Sequence, residues 1–136
     1  MTAAHPARTA SQALHAAVRR KDKAAWLDLF AADALVEDPV GPSQFDPEGR
    51  GHRGRDALSA FWDQAIAPHE SIEFFFDDSF ACGDEVAYTG HVRSQNGGQV
   101  FEAEGVFVYR VGAAGKIVAV RTWWEAERTM RTMRPA

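Results

Sequence analysis

The sequence predicts an α+β fold in which three N-terminal helices pack on one face of a curved antiparallel sheet that encloses an apolar pocket. Three observations carry this reading. Apolar residues recur at helical spacing up to about residue 67 and at strand spacing from about residue 72. Two glycine-rich turn signals, Asn96-Gly97-Gly98 and Gly112-Ala113-Ala114-Gly115, join consecutive strands into a meander. The 136 residues suit one domain, and an apolar share of 46% with 9 Phe and 4 Trp fills a core with surface to spare for a cavity.

Residues 1–8 read as a frayed, peripheral end. Thr9 or Ser11 caps a first helix running to about Lys21, with Leu14, Ala17 and Val18 on one face. Asp22 caps a short second helix through Ala31, whose apolar face is Trp26, Leu27 and Phe30. A strand through Val36 leads to Asp38. Residues 41–53 form a turn-rich loop, long for a compact domain. A third helix spans about Arg55 to Ala67, with Leu58, Phe61, Trp62 and Ile66 apolar. Four strands follow, through Ile72–Asp77, Val86–Arg93, Val100–Val111 and Lys116–Glu125. Residues 126–136 are charged and read as peripheral.

Bulk properties narrow the function. A net charge of -4 argues against nucleic acid as a partner, which would need a basic stripe. Cys82 is the single cysteine, so no internal disulfide forms, and a buried, inert thiol is expected. The histidines lack ligand spacing, so neither metal nor cofactor is expected. No apolar leader or membrane-length stretch occurs, which points to a soluble, cytoplasmic protein without a membrane partner.

The acidic residue that stands out is Asp38, in Ala34-Leu35-Val36-Glu37-Asp38-Pro39-Val40-Gly41. Pro39 biases it toward extended geometry, and Gly41 lets the chain turn behind it. A carboxylate fixed at the mouth of an apolar pocket is a general base for carbon acids. By local sequence alone, Asp38 better fits a residue that opens a surface turn, and it is the rest of the chain that favours the base. The strands describe the surroundings. One face of the third strand of the meander carries Phe101, Ala103, Gly105, Phe107 and Tyr109, with room between its bulky residues. The last strand is apolar on both faces, so either the C-terminal tail folds over Ile117, Ala119 and Trp123 or a second copy covers them, and the short, charged residues 126–136 favour the second copy.

These segments resemble a known family. Residues 26–41, Gly51-His52-Arg53-Gly54-Arg55-Asp56-Ala57-Leu58-Ser59-Ala60-Phe61-Trp62 and Gly115-Lys116-Ile117-Val118-Ala119-Val120-Arg121-Thr122-Trp123-Trp124 are similar to the ketosteroid isomerase (steroid delta-isomerase) branch of the nuclear-transport-factor-2-like, or SnoaL-like, superfamily. The resemblance covers about residues 10–125 and implies a cone-shaped, usually dimeric fold. It implies that Asp38 is the base that moves a proton from C4 to C6 of a Δ5-3-ketosteroid. It also implies that the Trp124 ring N–H supports the base. The family's two oxyanion donors, a Tyr and a protonated Asp, align with Leu14 and Phe107, and residues that support that Tyr align with Phe30 and Trp62. Base retained and donors lost imply a slow isomerase, since losing one donor typically costs ~10²–10³ in rate.

Tyr109 is the first candidate for a replacement donor, ahead of Tyr88 and His15, with His91 less suited. The expected lining of a pocket for a steroid or another polycyclic ketone is Leu14, Phe30, Val36, Phe61, Trp62, Tyr88, Phe101, Ala103, Gly105, Phe107 and Val120. A binding protein without turnover, and another enzyme of the superfamily such as a polyketide cyclase or a dehydratase, stand as alternatives.

Overall fold

The structure, a computed structural model, describes residues 4–136. Helix α1 (Pro6–Arg19) and helix α2 (Lys23–Asp28) precede strands β1 (Phe30–Glu37) and β2 (His52–Arg53). Helix α3 (Arg55–Phe61) continues as a wider π-helical turn over Trp62–Ile66. Then come β3 (Ser71–Cys82), β4 (Glu85–Asn96), β5 (Gln99–Val111), β6 (Ile117–Trp124), a short α4 (Ala126–Met130) and β7 (Arg134–Pro135). The sheet order is β2-β1-β6-β5-β4-β3, and β7 pairs with the start of β5. The predicted class is observed, with helices on one face of a curved sheet.

Several boundaries differ from the sequence reading, each for a local reason. Helix α1 starts at Pro6 and not at a Thr9 or Ser11 cap, and residues 6–8 are not frayed. His5 Nδ1 accepts from the Ala7 amide at 3.0 Å, and Pro6 has no amide hydrogen to leave unpaired. Ala7 and Ser11 are buried inside the helix. The expectation for residues 1–3 lies outside the described residues. Helix α2 is capped by Asp22 as expected, with Oδ1 accepting from the Ala25 amide at 3.1 Å. It stops at Asp28, because Phe30 enters β1 and pairs in parallel with Ile117 of β6. This β1–β6 pair makes the sheet mixed where a purely antiparallel one was expected.

Strand β3 runs to Cys82, beyond the predicted end at Asp77, so the thiol is exposed and not buried. The outer face of β6 also differs from the sequence reading. The β5–β6 register skips Val118 between the pairs Arg110–Ala119 and Val111–Ile117. That extra residue flips Ile117 into the core, where it is fully buried and unable to meet a second copy. Ala119 is half-buried, and Trp123 stays 41% exposed. Residues 126–136 do not hang free. The Thr132 hydroxyl oxygen accepts from the Glu102 amide at 2.8 Å, and Arg134 pairs with the Glu102 carboxylate at 2.8 Å.

The core lies between the concave sheet face and the helices. Leu14, Ala17 and Val18 of α1, Leu58 and Phe61 of α3, and Val86, Tyr88, Phe107, Tyr109 and Val120 of the strands are all buried there. Burying that much apolar surface, at roughly 25 cal/mol per Å², holds the helices on the sheet.

Candidate functional site

Asp38 follows directly on β1, and the Val40 amide donates to the Thr122 carbonyl at 2.8 Å, which ties this turn to β6. The Asp38–Pro39 bond is cis. Asp38 is half-buried, and one of its oxygens, Oδ1, is held twice. Trp124 Nε1–H donates to it at 2.7 Å, and the Thr122 hydroxyl donates at 2.5 Å. Among the described residues, Oδ2 makes no hydrogen bond, so one oxygen is anchored and the other is unspent. Sequence reading found Trp124 and missed Thr122. The signal was its place between Val120 and Trp124 on alternate positions of one strand, which share a face.

Register carries that face across the sheet. Trp124 stands opposite Gly105, Thr122 opposite Phe107, and Val120 opposite Tyr109. Val120 in turn stands beside Val36 of β1. Asp38, Thr122, Trp124, Phe107 and Tyr109 therefore share the concave face. Gly105 is required by close approach: a Cβ there would lie 1.9 Å from the Trp123 carbonyl oxygen.

Deeper in the concavity lie two polar pairs. Tyr109 OH is 2.9 Å from His15 Nε2, and Tyr88 OH is 2.7 Å from Ser11 Oγ. The His15 ring centroid is 4.4 Å from that of Phe74, 5.2 Å from those of Phe76 and Tyr109, and 5.4 Å from that of Tyr88. His15 thus points into the protein and not toward solvent. Burial, with help from the Arg19 charge, lowers its pKa to about 3, so the imidazole is neutral. Burial first, then the Asp38 and Tyr88 charges, push the Tyr109 hydroxyl well above its ordinary pKa. Asp38 acts on Tyr109 across the same concavity.

The expected lining divides into three groups. Tyr88, Phe107 and Tyr109 join His15, Phe74 and Phe76 in one aromatic cluster. Phe30, Phe61 and Trp62 pack around Trp26 in a second cluster between α2, α3 and β1. Leu14, Val36 and Val120 are buried in the same core, whereas Phe101, Ala103 and Gly105 are half-buried. His91 is not in this region. It faces Glu102 at 2.9 Å and stacks on the exposed Phe75. Cavities of about 210 and 480 Å³ lie elsewhere, the first lined by Phe30 and Leu58 among others, the second by Ala10 and Gly115 among others. Neither includes Asp38, Thr122 or Trp124. Among the described residues, no group of three His, Cys, Asp or Glu could hold a metal ion.

Comparison with known proteins bears on this geometry. Residues 11–120 match the SnoaL-like domain. The chain belongs to the SnoaL-like family. It is 30% identical over 108 residues to a steroid Delta-isomerase of Nocardioides simplex, covering 79% of this chain and 80% of that one. The crystal structure of Rv0760c from Mycobacterium tuberculosis superposes with a TM-score of 0.89 at 35% identity, over 100% of both chains. A second structure of Rv0760c, in complex with estradiol-17β-hemisuccinate, gives 0.86 at 34%, over 96% of this chain and 99% of that one. The Δ5-3-ketosteroid isomerase of a Mycobacterium species gives 0.86 at 34%, over 98% of this chain and 100% of that one. This SnoaL-like chain is thus similar along nearly its whole length to ketosteroid isomerases, the resemblance that the Asp38 segment first suggested. No helix in it is long and apolar enough to cross a membrane.

Proposed function

We propose that this protein binds a steroid or another polycyclic ketone in the concavity of its cone, with Asp38 as the base of an intramolecular proton transfer. The observation that carries this is the Asp38 carboxylate. Its Oδ1 is fixed by Trp124 and Thr122, its Oδ2 is unspent, and it faces a concavity lined by aromatic side chains. Oδ2 removes a proton from the carbon next to the carbonyl, and the C–H electron pair delocalises onto the carbonyl oxygen as a dienolate. The Asp38 carboxylic acid then returns the proton two carbons further along the conjugated system, so the isomerisation is balanced. Similarity to steroid isomerases and to a protein solved with an estradiol derivative supports this choice of ligand.

Turnover is slow in this proposal. Leu14 and Phe107, at the positions where the family carries its donors, offer no hydrogen bond to the dienolate oxygen. The same observation favours a second reading, a protein that holds its ligand without turning it over. The protein also pairs with a second copy of itself through the outer sheet face. Val106 and Trp123 stand opposite each other there and are 38% and 41% exposed.

The test is turnover of 5-androstene-3,17-dione, followed by absorbance of the conjugated enone. Asp38→Asn keeps the shape of the side chain and removes the basic oxygen, so kcat falls by ~10³ or more while ligand affinity changes little. Equal kcat in the variant removes Asp38 from the mechanism. No turnover by wild type, with steroid bound, selects the binding-protein reading.

A further inference from the structure

Among the buried polar groups of the concavity, the proton count separates the two tyrosines. Where Ser11 Oγ donates to the Arg8 carbonyl at 3.1 Å, its 2.7 Å bond to Tyr88 is one that it accepts. The Tyr88 proton is then spent. The Tyr109–His15 pair is different. It holds three heteroatoms and two protons, one on the phenol and one on the neutral imidazole. Their mutual hydrogen bond uses one proton and leaves the other free. If the phenol donates to Nε2, the imidazole offers Nδ1–H, which has no partner among the described residues. If Nε2–H donates to the phenol oxygen, Tyr109 offers its own O–H. Exchange between the two tautomers moves the available donor from one residue to the other without moving charge.

We propose that the His15–Tyr109 pair is the subsite that binds the ligand's carbonyl oxygen, supplying one neutral donor where the family positions at Leu14 and Phe107 supply none. The proposal rests on the reading of the concavity as a pocket for a polycyclic ketone, and it names the group that orients such a ligand. Two further observations support it. Tyr109 stands on the concave face with Asp38, in the row of Val120 and Val36, and its hydroxyl feels the Asp38 charge. Asp38 follows Val36 by two residues, which places the Asp38 and Tyr109 backbones roughly 12 Å apart, two strands across at ~4.8 Å each and two residues along at ~3.3 Å each. Two side chains leaning inward over that distance bracket a fused ring, with the oxygen at one side and an adjacent C–H at the other. The surroundings are aromatic and apolar, from Phe74, Phe76 and Phe107. A neutral donor in such a place favours a ketone over a charged ligand and over a hydrocarbon. One donor in place of two also agrees with slow turnover.

The test compares two ligands of the same skeleton, 5α-androstan-3-one and 5α-androstane, by quenching of tryptophan fluorescence. Neither can isomerise, so only binding is read. Wild type is expected to bind the ketone about tenfold more tightly than the hydrocarbon. Tyr109→Phe, which removes one oxygen, and His15→Leu should each bring that ratio close to one while hydrocarbon affinity stays within about twofold. His15→Gln, which keeps a donor and an acceptor, should restore part of the ratio. The carbonyl stretch of bound ¹³C-labelled ketone should move to higher frequency in Tyr109→Phe, a change that a merely structural role would not produce. Equal affinity for the two steroids in wild type overturns the proposal. So does an unchanged ratio and stretch in folded Tyr109→Phe. Failure of wild type to bind either steroid overturns the polycyclic-ketone reading itself, and the subsite with it.

Discussion

At Asp38 two donors meet one oxygen. A carboxylate that accepts two short hydrogen bonds at Oδ1 cannot rotate freely, so Oδ2 is presented in one direction. Positioning of this kind is worth one to two orders of magnitude in rate when a charge-assisted bond is lost. Trp124→Phe, which removes the ring N–H together with part of the indole, should therefore lower kcat by ~10-fold or more while ligand affinity changes less than about threefold. Steady-state kinetics beside equilibrium titration checks this, and an unaltered kcat removes Trp124 from the positioning role. His15 yields a prediction of another kind. Its folded pKa of about 3 lies below the unfolded value of 6.5. Between those two pH values the unfolded chain binds a proton at this position that the folded chain refuses, so stability falls as pH falls. The loss from this residue approaches ~1.4 kcal/mol per pH unit once pH is well below 6.5, and it ends near pH 3. Other groups titrate in the same range, so wild type and His15→Leu are compared by urea unfolding at pH 7, 6 and 5. The wild type should lose more stability than the variant across that range, and parallel losses refute the assignment.

At the scale of the element, β5 and β6 are the pair that the site depends on. Both donors to Asp38 lie on β6, and β6 is aligned by β5 through Gly105. The carbonyl of Trp123 occupies the volume that a side chain at residue 105 would need. Backbone cannot swing aside as a flexible side chain does, so Gly105→Ala must push the strands apart beside Trp124. A stability loss of about 1–3 kcal/mol follows from overpacking of this kind, with a fall in turnover from the displaced indole. Urea unfolding together with kcat checks both effects, and a neutral Gly105→Ala would show that the strands tolerate the shift.

At the scale of the whole molecule, the outer face of the sheet carries an apolar strip. Val106 and Trp123 form an exposed apolar pair, and the Arg121 guanidinium lies 5.1 Å from the centre of the Trp123 ring. The C-terminal segment covers the acidic part of that face, through Arg128 on Glu104 and Arg134 on Glu102, and leaves this pair uncovered. An uncovered apolar strip on a regular sheet suits a two-fold partner presenting the same strip. The proposed dimer should therefore dissociate in Trp123→Lys, which sets two like charges against each other across the axis. Light scattering at micromolar concentration decides this. A wild type that is already monomeric there refutes the dimer.

The order of the first three helices and the long strands, the two turns of the meander and the Asp38 segment were legible in the sequence, because each is a local pattern, whereas β2, α4 and β7 were not. Alternation marks a strand, glycine pairs mark a tight turn, and Pro39 biases Asp38 toward extended geometry. The start of α1 was not legible, since a histidine cap is a weak signal beside Thr9 and Ser11. Nor was the end of α2. Residues 29–31 continue a helical pattern, and only the distant strand β6 draws Phe30 into a parallel pair. Ile117 reads as an outer residue by counting from Trp123, and the one-residue bulge that turns it inward exists only once β5 and β6 are aligned. The site divides in the same way. Sequence named Asp38, Trp124 and Tyr109 as the groups of interest. Tertiary structure alone decided that Thr122 shares the carboxylate with Trp124, that Tyr88 meets Ser11, and that His15 meets Tyr109. Those contacts join residues more than 70 positions apart, and local sequence carries no signal of which distant partner a polar side chain will find when both are buried.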